Sequence, residues 1–368
     1  MKKAFRIISA FLLVVLQVFS FAACKAPENS ESSGKTKYVS YYFDYFDTVT
    51  TIIGYEESKE EFDAVCAETA AVLEEYHKLF TIYNRYSDLN NMVTINTVSD
   101  GEHSVVEVDE KIIDMLLFAK EMYSVTKGKV NIAMGSVLSI WHIYRNEGLD
   151  NPSAAELPPM AKLEAAAEHT DIEGLVIDAE NNTVLLTDSA MKLDVGAIAK
   201  GYAVEKAAQY LIEKGVTDYI LNVGGNIRTI GNAGNAESPW KVGIENPDTS
   251  DTEKPYIEYL KVTGKSVVTS GSYQRYYVVD GKSYHHIIDP ETLMPGQNFM
   301  SVSVLCDDSG LGDAFSTALF LMSYEEGAEL VENTENLEAM WVMPDGEQRY
   351  SSGFKAYTFD YEAEKAKS

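Results

Sequence analysis

Cysteine is nearly absent: Cys24, Cys66 and Cys306 are the three in the chain. Cys24 ends an apolar leader, Cys66 falls in a helical pattern and Cys306 ends a strand pattern. No disulfide framework is implied, and the last two read as small buried hydrophobes. The chain has no cysteine–histidine cluster, so nothing favours a transition metal. Positive charge is also scarce, with 30 Lys and Arg against 57 Asp and Glu and a net charge of −27. That balance argues against nucleic acid and anionic membrane surfaces as partners of the body. It also sets a condition: an anionic ligand must find its neutralising charge locally, in a metal, a helix N-terminus or a few placed cations. Long apolar runs are missing apart from residues 7–21, which fall short of the ~20 apolar residues a span needs and are broken by Ser9, Gln17 and Ser20.

What is there begins with an address. Lys2, Lys3 and Arg6 precede the apolar run, which closes in Phe21-Ala22-Ala23-Cys24. Small residues just before a cysteine read as a lipoprotein signal peptide over residues 1–23, leaving Cys24 as an acylated N-terminus; a secretory peptide with a chance cysteine is the alternative. Residues 24–37 are mostly Ser, Glu, Lys, Pro and Gly without periodicity, a flexible tether able to extend roughly 45 Å. The reading is a protein lipid-anchored to the cell membrane on its extracytoplasmic face, with a folded body over residues 38–360. With 368 residues and 45% hydrophobic content, that body can bury a large core as one big domain or two packed lobes.

Residues 41–55 read as a strand, followed by a helix with Phe62, Val65, Cys66, Val72, Leu73, Tyr76 and Leu79 on one stripe. Further helices are expected at 110–126 and about 160–168, with Pro152, Pro158 and Pro159 marking the loop between them. Residues 175–186 read as a hairpin around Asn181-Asn182, and a helix is expected from near Gly196 to Lys214, stopped by Gly215. Strand patterns follow at 219–223, 241–245, 256–262, 266–269, 276–279 and 301–306, then a helix at Asp313, another near 325–333 and a last strand at 338–343. Strands fall in antiparallel-looking pairs rather than alternating with helices, so the fold class is α+β.

Several segments could carry chemistry. In a helix, the four-residue spacing of Asp313 and Thr317 stacks a carboxylate and a hydroxyl on one face, two oxygens able to share a hard cation. Equally, they fit a helix-start acid and a hydroxyl bonding back to its own backbone. Asp194 reads as an N-cap, with Gly196 allowing close approach and Lys200 on the first turns. Such a start offers an anion free N–H groups, and an ordinary capped helix explains it as well. Gly224-Gly225 either admits a ligand or forms a bulge. His285 and His286 point to opposite faces of a strand, so only one can enter a given pocket.

Taken together, seven segments resemble the ApbE family, the FAD:protein FMN transferases. They are Phe-Asp-Thr at 46–48, Tyr-Asn-Arg-Tyr-Ser-Asp-Leu-Asn at 83–90, Leu-Asp-Val-Gly-Ala-Ile-Ala-Lys-Gly at 193–201, Asn-Val-Gly-Gly-Asn at 222–226, Thr-Ser-Gly at 269–271, His-Ile-Ile-Asp-Pro at 286–290 and Asp-Ala-Phe-Ser-Thr at 313–317. The resemblance spans about residues 45–343. It implies an ApbE-like α+β fold related to the T-fold group, with antiparallel sheets and packed helices. It also implies a bound FAD and magnesium-dependent transfer of its FMN half to a Ser or Thr of an exported acceptor protein, with release of AMP.

By position, the resemblance implies FAD contacts from Phe46, Tyr83, Asp194, Lys200 and Ile287, with Val130, Asn131 and Ile132 lining the same site. It implies Mg2+ held by the backbone oxygen of Ala197 and the side chains of Asp313 and Thr317, with Ser316 adjacent, and His286 as the base. Two departures stand out: Asn131 and Asn226 occupy positions where relatives commonly carry Asp, which keeps hydrogen bonding and removes charge. Rival readings of the same residues are an FAD-binding lipoprotein without chemistry and an FAD pyrophosphatase giving FMN and AMP.

Overall fold

Ser301–Cys306 is buried at all six positions, which a strand of alternating side chains allows only where both faces of its sheet are covered. The computed structural model describes residues 34–98, 104–234 and 237–366; the leader, Cys24 and most of the tether lie outside these.

Strands β1 (Thr36–Tyr42) and β2 (Thr50–Glu56) form a hairpin that leads into α1 (Lys59–Phe80). Ser58 and Glu61 close a capping box at the start of α1, satisfying N–H groups that the first helical turn cannot pair. Next come α2 (Met92–Val98), β3 (Val106–Glu107), α3 (Glu110–Val125), α4 (Gly135–Asp150) and α5 (Met160–Ala167). Then follow β4 (Leu175–Asp178), β5 (Thr183–Leu186), α6 (Ala199–Glu213), β6 (Tyr219–Val223), β7 (Asn226–Ile230), β8 (Trp240–Glu245), β9 (Tyr256–Val262), β10 (Ser266–Gly271), β11 (Tyr276–Val279) and β12 (Lys282–His285). The last elements of the main unit are β13 (Ser301–Cys306), α7 (Ser309–Leu321), α8 (Tyr324–Glu332), β14 (Glu338–Val342) and β15 (Gln348–Tyr350). That unit covers Lys35–Asp360. A short helix, α9 (Tyr361–Lys365), belongs to a separate unit.

The main sheet has eight strands in the order β1-β2-β6-β7-β10-β13-β14-β15, antiparallel at every pairing. Alternation divides its side chains between two cores. Tyr219, Leu221, Val302, Val304 and Trp341 join Phe62 and Leu73 of α1, Ala203 and Ala207 of α6, and Ala314 and Ala318 of α7. Ile220, Val267, Leu305 and Met340 face the β8–β9 hairpin, with Trp240, Val242 and Leu260. A third cluster joins Val137 and Trp141 of α4 to Tyr277, Tyr284 and Leu293 around the β11–β12 hairpin. Cys66 and Cys306 are buried and unpaired, and burial pushes both thiols up to about 12. Neither is a thiolate near neutral pH.

Four expectations are corrected. Residues 41–55 are not one strand: the chain turns after Tyr42, with Phe46 and Asp47 at positive φ, before β2 begins. Helix α4 lies in the stretch read as loop between the helices at 110–126 and 160–168, and α2 lies where no element was expected; α4 starts at Gly135 without a side-chain cap, so the usual start signal is missing. Gly224-Gly225 is not a bulge but a two-residue hairpin turn, both glycines at positive φ and Val223 paired with Asn226. That conformation suits glycine at both positions. Finally, α6 starts at Ala199 with Ile198 as its cap. Asp194 lies five residues earlier and accepts a hydrogen bond from Gly196 N at 2.9 Å.

Candidate active site

The site is built where the start of α6 crosses α7. A Cβ at Gly201 would collide with the carbonyl oxygen of Ser309 and sit 2.5 Å from Cβ of Asp313, so only glycine allows the helices to come this close. The approach lets Gly201 N donate to Asp313 Oδ2 at 2.8 Å. The other oxygen, Oδ1, lies 3.5 Å from Lys200 Nζ. A carboxylate only 4% exposed thus has an amide and an ammonium as partners, which offset its lost hydration. Gly201→Ala should push α6 off α7 and lower stability by about 1–3 kcal/mol, with a larger loss of activity than of folded protein. Thermal unfolding alongside an activity assay measures both, and an unchanged melting temperature would contradict the close contact.

Thr317 follows Asp313 by one turn of α7 and is half-buried. Its Oγ1 lies 3.4 Å from Ser270 Oγ, which also contacts Ser316 Oγ at 2.9 Å. Ser316 is fully buried and donates to Asp313 O at 3.1 Å, so its hydroxyl is engaged between helix and sheet. Ala197 lies in the turn leading into α6, half-buried. The side chains of Asp313 and Thr317 present only oxygen, a set suited to a hard cation. One carboxylate is few charges for such an ion, which makes ligand phosphates a natural part of the coordination. Among the described residues, no group of three or more His, Cys, Asp and Glu side chains is arranged to hold a metal.

The two histidines have different environments. His285 Nε2 lies 2.6 Å from Gly296 O, and its Nδ1 accepts from Ile287 N at 3.2 Å. Edge-on packing with Phe320 fixes the ring further. Both of its nitrogens are used within the fold. His286, by contrast, has a buried Nδ1 with no hydrogen-bond partner. Burial, then the charges of Arg275, His285, Lys200 and Arg145, hold this imidazole well below the ordinary histidine range. It is neutral at physiological pH and able to accept a proton.

Around His286 lies a group that sequence reasoning missed. His142 and Arg145 of α4 line one cleft with Trp141, His285 and His286. Asp194 Oδ2 is 4.0 Å from His142 Nε2, and the Tyr83 hydroxyl is 3.5 Å from His142 Nδ1. Tyr83 itself is 63% exposed, a ring standing at the rim. Val137, Ile140, Trp141 and Tyr144 do follow a helical spacing, and that periodicity could have revealed α4.

The other expected contacts are spread over the same end of the fold. Phe46 donates its N–H to His77 Nδ1 at 3.1 Å and packs against that ring. Thr48 lies where a side chain at Gly224 would have to go, so the 46–48 turn and the paired glycines are packed together. Val130 and Ile132 point into the core. Asn131 Nδ2 donates to Thr170 O at 2.9 Å, and its Oδ1 accepts from Ala133 N at 2.9 Å. Ile132 O accepts from Asp194 N at 2.8 Å, which ties this segment to the approach of α6. Ile287 is buried beside His286. Asn226, the other departure, is buried with its Nδ2 unpaired.

The sequence profile of the ApbE family matches residues 46–341. The chain belongs to the ApbE family. It is 32% identical over 274 residues to an FAD:protein FMN transferase of Klebsiella pneumoniae (strain 342), covering 72% of this chain and 81% of the relative. It is likewise 32% identical over 305 residues to the FAD:protein FMN transferase of Treponema pallidum (strain Nichols), covering 78% and 81%. The crystal structure of the ApbE protein of Thermotoga maritima superposes with a TM-score of 0.76 at 27% identity, covering 88% of this chain and all of that one. The ApbE fold therefore extends over the α+β body, and all seven motif segments lie inside the matched region.

Proposed function

We propose that this chain is an FAD:protein FMN transferase, moving the FMN half of FAD onto a Ser or Thr hydroxyl of an exported acceptor and releasing AMP. The observation that carries the reading is His286: an unpartnered neutral imidazole in a cleft with Arg145, close enough to feel the Lys200 charge.

The hydroxyl oxygen of the acceptor attacks the phosphorus on the FMN side of the diphosphate. Its proton passes to His286, the new oxygen–phosphorus bond forms, and the bond from that phosphorus to the bridging oxygen breaks, so that AMP departs with the bridging oxygen. Lys200 and the nearby guanidinium groups offset the phosphate charge that the acidic body would otherwise repel. Asp313 and Thr317, with the backbone oxygen of Ala197, would hold Mg2+, which supplies charge neutralisation at the phosphate oxygens. Asp194 and Tyr83 stand at the same cleft as candidates to orient the bound nucleotide.

Incubating the protein with FAD and Mg2+, with and without an acceptor domain, and separating the products tests the reading. Flavin fluorescence on the acceptor band together with free AMP is expected. FMN and AMP formed equally without acceptor would identify a pyrophosphatase, and unchanged FAD a binding protein. For location, the leader and Cys24 support a lipid anchor on the extracytoplasmic face. Cys24→Ala should move the protein from the membrane fraction to the soluble one; retention in the membrane would rule the anchor out.

A further inference from the structure

Arg145 and Arg275 have no hydrogen bond or ion pair among the described residues. In a chain of net charge −27, two such guanidinium groups whose charges both reach His286 are unusual; Arg228 and Arg349 are each paired with a glutamate. Their placement follows from the fold. Arg145 stands one helical turn beyond His142 on α4, and both line the cleft that holds His286. Arg275 immediately precedes β11, whose first residue Tyr276 pairs with His285 of β12. That antiparallel register brings Arg275 opposite His286 at the open end of the hairpin. Beside the cleft, Asp194 faces His142 at 4.0 Å, and Asp47 is a further carboxylate near Tyr83. Burial first and also Arg275 disfavour charge on Arg145, while Tyr83 and Asp194 favour it, and both guanidinium groups disfavour charge on His286. Asp194 offsets this gathering of like charge only in part, and an entering anion would complete the compensation.

We propose that Arg145 and Arg275 clamp the diphosphate of FAD beside His286 and take up the charge that develops on the AMP half as it leaves. The proposal rests on the transferase reading for its second part only. The chemistry favours guanidinium there over an acid. A departing phosphate monoester has a second pKa of about 6, so it leaves without being protonated and needs its charge compensated. A planar fork of donors does this with two parallel bonds to phosphate oxygens. The proton of the acceptor hydroxyl goes to His286, and none is required at the leaving group.

The test uses the whole protein with Mg2+ and four probes: FAD, riboflavin, inorganic pyrophosphate and ADP. Affinities for the two flavins are read by fluorescence and the other two by thermal shift, in the wild type, Arg145→Gln, Arg275→Gln, the double variant and Arg145→Lys. Each Gln change should raise the FAD Kd by about 10-fold or more, shrink the thermal shift from pyrophosphate and ADP, and leave riboflavin affinity unchanged. Arg145→Lys should recover only part of the loss, because charge returns without the fork. Ligand-free melting temperatures should stay level or rise, since repulsion is removed. Wild-type affinity of the double variant for FAD and pyrophosphate would overturn the clamp, and so would an equal loss for riboflavin, which carries no phosphate. Should these shifts appear while no acceptor is ever flavinylated, the clamp stands and the transferase reading falls. Where transfer is observed, single-turnover AMP release at saturating FAD should slow in both Gln variants; an unchanged rate would overturn the leaving-group role.

Discussion

His286→Ala should keep FAD bound and lose FMN transfer by about 100- to 10,000-fold, the range a positioned general base supplies. Retention of FAD is expected because the ring's buried nitrogen holds no hydrogen bond in the fold, so its removal breaks no structural contact. Its neighbour provides the control. His285 bonds to Gly296 O and Ile287 N, so His285→Ala should cost about 1–3 kcal/mol of stability through unpaired buried groups and lower transfer through misfolding. In-gel flavin fluorescence over time separates the two variants. A native rate in His286→Ala would remove this residue from the mechanism.

The pH response follows from the same environment. Burial first, and then neighbouring cations, hold His286 well below 6.5, so the ligand-free base is neutral through the neutral range and transfer should fail only on the acid side. Stability has a matching sign. His77, His142, His285 and His286 all have folded values below the unfolded one, with burial the leading cause. Above about pH 6.5 neither state is protonated at these sites and they contribute nothing. As pH falls through that value, the unfolded chain binds protons that the folded one resists, and stability declines toward the depressed folded values.

Asp313→Asn should leave the fold largely intact and reduce transfer by about 1,000-fold, a loss in the range expected when a charged group stabilising a phosphoryl transition state is removed. The amide oxygen can still accept from Gly201 N, so the contact between α6 and α7 persists. Lost is the negative charge that faces Lys200 at 3.5 Å and that a hard cation requires. Transfer titrated against Mg2+ is the measurement. The wild type should saturate, more tightly when FAD is present, and the variant should stay inactive at all concentrations. A variant that reaches the wild-type rate at high Mg2+ would show that Asp313 tunes affinity alone.

Much of this was readable from local pattern. The apolar stripe of Lys59–Phe80 follows the 3.6-residue period and appears as α1. Strands 219–223, 256–262, 276–279 and 301–306 begin and end at the expected residues, because β-branched and aromatic runs bounded by turn residues mark them. Where pattern was weak the reading failed. Helix α4 opens at Gly135 with no side-chain cap and carries few charged residues to mark a polar face. The element bearing His142 and Arg145 therefore went unseen.

By itself the sequence determined the α+β class, the acidic body's need for local cations, and the helical stacking of Asp313 over Thr317. All of these depend on composition or on residues within a few positions of one another. Only the tertiary structure decided which histidine is left without a bond and how Gly201 brings an amide to Asp313 across 112 positions of chain. It also decided that Arg145 shares a cleft with His286 and that Arg275 lies opposite His286 by the β11–β12 register. These depend on the packing of distant elements, which periodicity does not encode: a helix period says which face is apolar, and only the partner that covers it says what the remaining side chains meet.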